Sequence, residues 1–168
     1  MVGYPGSGKT TTSKIIHKKT GATHLWADRE RNAMFPNPSH DHEENLKLYA
    51  ELNRKAKQLL EEGKSVIFDT NFNFYKDRKK LRVVAAKAGA RSVVVWLTTA
   101  KELARERATQ HALDGEHGHN RVWGNMTVAQ FERIAGNLQA PNEGEQPIKL
   151  DGTNLHESDV VDALQSYL

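Results

Sequence analysis

The residues best suited to chemistry lie at the start of the chain. Gly3-Tyr4-Pro5-Gly6-Ser7-Gly8-Lys9-Thr10 fits the pattern G-x-x-x-x-G-K-[ST]. Its glycines let consecutive backbone N–H groups turn inward and form a nest for phosphate oxygens. A side chain at Gly3 or Gly8 would crowd that nest. Lys9 brings a point charge to the β- and γ-phosphates, and the Thr10 hydroxyl is placed to hold Mg²⁺. The loop opens a helix whose positive end faces the same phosphates. Gly3, Pro5, Gly6, Ser7, Gly8, Lys9, Thr10 and Thr11 are thus the expected ligands of ATP.

Phosphoryl transfer needs alignment, Mg²⁺, positive charge on the γ-phosphoryl and a base for the attacking hydroxyl. Asp28 is the candidate base, and Arg31 shares its face if the segment is helical. The pair would take a hydroxyl proton and hold an anionic group of the acceptor. A purely local role, Asp28 capping a turn, is the competing expectation. Asp69 ends an apolar run and is expected to hold Mg²⁺ through water or to orient the acceptor, unless it only bonds nearby backbone. Arg105, Arg107 and Arg121 flank a polar stretch, and one or two of them are expected to close on the phosphates. Alternatively, Arg105 and Arg107 are solvated charges paired with Glu102 or Glu106. His40, His42, His111, His117 and His119 lack the Cys or third ligand of a zinc site. Tyr75, Trp96 and Trp123 form no interleaved basic–aromatic strip, and Trp96 is expected in the core.

These residues need elements to place them. A helix is predicted from about Gly8 to Lys19, with Ile15 and Ile16 inward, then a strand from Ala22 to Trp26. A second long helix spans about Asp41 to Glu62 and buries Tyr49, Leu52, Ala56, Leu59 and Leu60. The strand Ser65–Phe68 leads into Asp69-Thr70-Asn71, followed by a helix ending at Gly89. Val93–Leu97 is a continuous apolar strand, as in a sheet covered on both faces. Thr99 with Glu102, Thr127 with Gln130, and Asn154 with Glu157 read as helix caps. Val128, Phe131, Ile134 and Leu138 are expected inward, and Ile148–Leu150 is a last strand. The alternation predicts a mainly parallel sheet with right-handed crossovers. Only Met1 and Val2 precede Gly3, so the first strand is expected to be a stub or to start upstream.

The 168 residues suit one domain, residues 1–168, with a lid at about 105–126. A net charge of +3 suits a polyanionic ligand without demanding nucleic acid. The chain has no cysteine, which excludes disulfides and thiolate chemistry. Mean hydropathy is −0.69, no run is apolar enough to span a membrane, and a cytoplasmic location is expected.

Gly3–Thr10, Asp28-x-x-Arg31, Asp69-Thr70-Asn71-x-Asn73 and Arg78 together resemble the kinase domain of 5′-polynucleotide kinases and the small P-loop kinases related to them. The resemblance implies a three-layer α/β P-loop fold similar to nucleoside-monophosphate kinases. Such a fold has a five-stranded parallel sheet, helices on both faces and a helical or loop lid. It implies that Asp28 is the general base for a 5′-hydroxyl. Arg31, Asp69, Asn71 and Arg78 would be acceptor ligands, and Thr10 and Asp69 the metal ligands. The lid helix of such kinases often carries two arginines four apart; here Arg107 fits the first place and His111 stands in the second, with Arg121 nearby. Lys9, Asp28, Arg107 and Arg121 are therefore the expected catalytic residues. The stretch Pro141–Glu145 is similar to the loop near the adenine. Bifunctional relatives add a phosphatase opening Asp-x-Asp-Gly-Thr; here Lys149 replaces the first aspartate, so none is expected.

The expectation is an ATP- and Mg²⁺-dependent kinase acting on a polynucleotide 5′-hydroxyl or a nucleotide-like molecule. A kinase for a sugar, nucleoside or antibiotic is the first rival. An ATP-binding switch without catalysis is the second.

Overall fold

The computed structural model describes residues 1–109 and 126–167. In chain order these form α1 (Lys9–Thr20), β1 (Thr23–Trp26), α2 (Ala27–Met34), α3 (His42–Glu61), β2 (Val66–Asp69) and α4 (Tyr75–Lys87). Then come β3 (Val95–Leu97), α5 (Lys101–Thr109), α6 (Val128–Gly136), a 3₁₀ turn (Glu143–Glu145), β4 (Ile148–Leu150) and α7 (Glu157–Leu164).

Two parallel ladders make the sheet. β1 pairs with β2, Trp26 opposite Asp69, and β3 pairs with β4, Leu97 opposite Leu150. Residues 1 and 2 join them. The Met1 amine donates to the Phe68 carbonyl at 3.0 Å, and Val2 bridges in parallel to Trp96. Val2 N–H donates to Val95 O at 2.8 Å, and Leu97 N–H to Val2 O at 2.9 Å. The spatial order is therefore β1, β2, Val2, β3, β4. The fifth place of the expected sheet is held by a single bridged residue, because the chain turns away at Gly3.

One apolar cluster joins Val2, Leu25, Phe68, Phe72 and Val94 to Leu48, Leu52 and Ala56 of α3. A second joins Val95, Leu97 and Leu150 to Val160 and Leu164 of α7. Phe131 and Ala135 of α6 pack on Ala104 and Ala108 of α5. Trp96 is only half-buried against the first cluster, and Lys149 Nζ lies 5.4 Å from its ring centroid. Among the described residues no helix is long and apolar enough to cross a membrane.

Several local expectations change. α1 buries Lys9, Thr12 and Ser13, whereas Ile15 and Ile16 are only partly covered. Small side chains let this helix approach the sheet, and the Thr12 hydroxyl donates a hydrogen bond to Gly8 O at 3.0 Å. Thr99 precedes α5, and its hydroxyl donates to the distant Ser7 carbonyl at 2.8 Å. His156, not Asn154, stands at the N-cap of α7, and its backbone N–H donates to Asp159 Oδ2 at 2.9 Å. Thr127 does cap α6 with Gln130, but Val128 is 53% exposed because it sits in the first turn, beyond the α5 contact.

Candidate active site

The loop Gly3–Gly8 leaves the sheet between the two ladders. Gly3, Gly6 and Gly8 have φ of 144°, 79° and 102°, a region that favours glycine. A Cβ on Gly3 would stand 2.6 Å from Ser7 Oγ, and one on Gly6 would run into the Ala104 carbonyl. Ser7 N–H closes the turn on Tyr4 O at 3.1 Å. The first intrahelical amide bond of α1 runs from Thr12 N to Gly8 O, 2.9 Å. The amides before it have no carbonyl within the helix, and the helix dipole adds to their pull on an anion. Lys9 is buried, with Nζ donating to Gly3 O at 3.0 Å and Tyr4 O at 2.7 Å. The ammonium thus lies against the loop that its charge would serve. Glycine-permitted backbone at three positions, a helix start and a buried ammonium are a donor set that fits the phosphates of a nucleotide.

Opposite stands Asp28, in the first turn of α2 and open to solvent. Trp26 occupies the N-cap and no side chain caps this helix, so the local capping role for Asp28 is not what the structure holds. Surrounding protein pushes the Asp28 carboxyl above its ordinary range, and Asp69 adds to the push; Arg31, Lys9 and His40 oppose it. Asp69, 2% exposed, accepts from His24 Nε2 at 3.0 Å. Burial raises its carboxyl, but the His24 hydrogen bond and the charges of Lys9 and His24 outweigh that and hold it low. Lys9, Asp28 and Asp69 thus sense one another's charge at the C-terminal ends of β1 and β2. An ionised Asp69 beside the loop fits a water-mediated magnesium site together with Thr10.

Arg31 does follow one helical turn after Asp28, but it is not free. Its Nη1 donates to Glu44 and its Nη2 to Asn45 Oδ1 at 2.7 Å. Glu44 also accepts from Ser39 N–H and hydroxyl. Of its nitrogens, only Nε has no partner among the described residues. Asn71 stands in the loop after Asp69, half-buried, while Asn73 spends its amide on Ile134 O at 3.1 Å.

Arg78 departs from the expectation of an acceptor ligand. Its guanidinium grips Glu145 and also donates to the Phe72 and Asn73 carbonyls. The same pair, with Arg82 donating to Gly144 O at 3.4 Å, ties the stretch Pro141–Glu145 to α4. Gly152 is the residue next to the phosphate loop, where a Cβ would meet Ser7 O and Thr99 Oγ1. Arg107 reaches the same corner, donating to Gly152 O at 2.6 Å and Thr153 O at 2.7 Å. Arg105 lies 3.6 Å from Glu132 on the surface, and neither Glu102 nor Glu106 is its partner. Most of the expected lid, including His111, His117, His119, Arg121 and Trp123, lies outside the described residues.

The sequence reading missed the outer face of α4. Lys76, Lys80, Val83 and Lys87 recur at spacings of four, three and four and are all exposed, with Lys79 beside them. Phe74 and Tyr75, 38% and 40% exposed, open this stripe, and Lys76 Nζ sits 5.8 Å over the Phe74 ring. Among the described residues Lys79, Lys80 and Lys87 have no carboxylate partner, whereas Lys19, Lys47, Lys55, Lys64 and Lys101 each have one. The charge run KDRKKLR was legible; that Lys79 and Lys80 lack carboxylate partners among the described residues, while Arg78 has Glu145, was not.

The sequence matches the AAA domain family over residues 1–141. No curated protein sequence matches it. Among solved structures, the APS kinase CysC of Mycobacterium tuberculosis, in complex with AMPPNP and APS, superposes with a TM-score of 0.68 at 21% identity, covering 98% of this chain and 94% of its own. A sugar kinase from Janibacter sp. HTCC2649 gives 0.67 at 20% identity, with 98% and 90% covered. A gluconokinase from Sinorhizobium meliloti 1021 gives 0.64 at 19% identity, with 98% and 87% covered. At such identities the likeness shows the fold. The chain belongs to the AAA domain family and carries the fold of the P-loop kinases.

Proposed function

We propose that the protein is an ATP-dependent kinase that transfers the γ-phosphoryl group to a hydroxyl of its acceptor. The carrying observation is a buried Lys9 ammonium, held on the Gly3 and Tyr4 carbonyls of the glycine loop, within electrostatic reach of the Asp28 and Asp69 carboxylates. Asp28 takes the acceptor's hydroxyl proton as the oxygen attacks the γ-phosphorus. The bond from γ-phosphorus to the β,γ-bridging oxygen breaks, and ADP leaves. Lys9 and the amides of Gly8 to Thr11 hold the phosphates in line. Thr10 and Asp69 would hold Mg²⁺, which when bound neutralises charge on the β- and γ-phosphates. Arg107, released from the Gly152 and Thr153 carbonyls, is the described lid cation within reach of the nucleotide.

For the acceptor we propose a polynucleotide 5′-hydroxyl or a nucleotide-like molecule. The unpaired lysines of α4, headed by two exposed aromatic rings, support it, because single strands bind by charge along the backbone and stacking of bases. A second reading, a small alcohol such as a sugar, is favoured by the neighbouring fold of the sugar kinase and gluconokinase. Radiolabelled ATP offered with 5′-hydroxyl oligonucleotides, nucleosides and sugars decides between them. Label in oligonucleotides supports the first; label only in small alcohols overturns it. No transfer to any acceptor, with ATP still bound, leaves the nucleotide-switch alternative.

A further inference from the structure

His24 has no part in the proposed chemistry, yet among the described residues it supplies the one side-chain hydrogen bond to the buried Asp69. It lies on β1 opposite Ile67, two residues before Trp26, which stands opposite Asp69. His24 and Asp69 are therefore diagonal neighbours on one sheet face. Nε2 of the imidazole meets Asp69 Oδ2 at 3.0 Å, with side chains 13% and 2% exposed. Trp26 holds the ring from one side, stacked at 6.0 Å between centroids and 9° between planes. Lys14 of α1 in turn lies 5.7 Å from the Trp26 ring centroid. The imidazole thus runs parallel to the Trp26 ring where it meets the carboxylate.

A carboxylate serves as a ligand only if it is turned correctly, and outer partners fix that turn. Oδ2 is committed to His24, which leaves Oδ1 for other partners. We infer that His24 is a positioning residue, orienting Asp69 so that Oδ1 faces the Mg²⁺ that accompanies the nucleotide. The inference rests on the proposed metal role of Asp69.

The test titrates Mn²⁺, as a spectroscopic stand-in for Mg²⁺, into the full chain with ADP and follows the free ion by electron paramagnetic resonance. His24→Ala should weaken Mn²⁺ binding by roughly 10–100-fold, leaving metal-free ADP affinity unchanged. His24→Gln keeps an N–H donor and should recover most of the loss. In an Asp69→Asn background, His24→Ala should add nothing. Melting curves identify any variant that does not fold, and His24→Gln then carries the comparison with Asp69→Asn. Unaltered Mn²⁺ affinity in folded His24→Ala overturns the inference, as does a glutamine no better than alanine. If Asp69→Asn weakens Mn²⁺ and His24→Ala does not, the metal site stands and only His24 loses its role. If Asp69→Asn itself changes nothing, the metal reading of Asp69 falls and takes this inference with it.

Discussion

Arg78 and Glu145, 67 residues apart, meet fork to fork, Nε to Oε1 at 2.6 Å and Nη2 to Oε2 at 2.9 Å. Their side chains are 2% and 1% exposed. Nη1 is spent as well, on the Phe72 carbonyl at 2.8 Å. The pair fastens the segment before β4 to the first turns of α4 and to the loop after Asp69. Removing one partner leaves the other charged and buried, so Arg78→Met or Glu145→Gln should each cost about 3–5 kcal/mol of stability. Urea unfolding measures this, and the double variant should lose less than the sum of the two. An acceptor-binding Arg78 would instead raise the acceptor KM with stability intact.

Asp28 predicts a trade between stability and turnover. Asp28 keeps contact with solvent, yet the protein packed around its carboxyl pushes it above the ordinary range, and Asp69 adds to the push. The folded state then holds its proton to higher pH than the unfolded state. The stability linked to Asp28 is full below the unfolded pKa and is lost as pH rises through the folded one. At neutral pH the ionised carboxylate therefore costs stability. Asp28→Asn should melt at a higher temperature than wild type at pH 7, and the gap should close as pH falls through the raised pKa. The same variant should lose about 10²–10⁴ in kcat with ATP binding retained, as stopped assays and calorimetry would show. Unchanged turnover would remove Asp28 from the base role.

How far the sequence could be read depended on whether partners were close in the chain. The phosphate loop, the strand ends at Trp26 and Asp69 and the turn from Asp28 to Arg31 follow from local spacing, and the structure holds them in those places. The cap at Thr127 is equally local. Thr99 is not, because its hydroxyl prefers a carbonyl 92 residues away. Arg31 and Arg78 carry the same difficulty. An arginine in a motif looks like an open cation until Glu44 or Glu145 is seen beside it. Asp69 was legible as an acid at a strand end, but its histidine was not, since a cross-strand diagonal leaves no mark in either strand alone.

The stripe on α4 predicts a salt signature. If Lys79 and Lys80 track the phosphates of a single strand, each adds about 0.7 to the slope of log K against log salt. Replacing both by alanine should lower that slope by about 1.4, measured by fluorescence anisotropy of a labelled oligonucleotide. Phe74→Ala should weaken binding by about 1–3 kcal/mol at every salt concentration. ATP affinity should not change in either variant, because among the described residues none of the three side chains bonds to the loop Gly3–Thr10. Oligonucleotide binding equal to wild type would make the stripe an ordinary solvated face.

Gly6 and Gly21 form a matched pair that separates backbone strain from crowding. Both have positive φ, 79° and 69°. A Cβ at Gly21 meets nothing within 4 Å, whereas at Gly6 it collides with the Ala104 carbonyl and lies 3.0 Å from Ala108 N. Gly21→Ala therefore carries only the left-handed penalty, about 1–2 kcal/mol, seen as a lower melting temperature with ATP affinity intact. Gly6→Ala carries the same penalty and also drives the loop away from α5. That shift moves the amides that must converge on phosphate, so affinity for a non-hydrolysable ATP analogue should collapse beyond what the stability loss explains. Calorimetry on the two folded variants makes the comparison. Equal ATP affinity in both would mean that packing of Gly6 against α5 does not set the amides that bind phosphate.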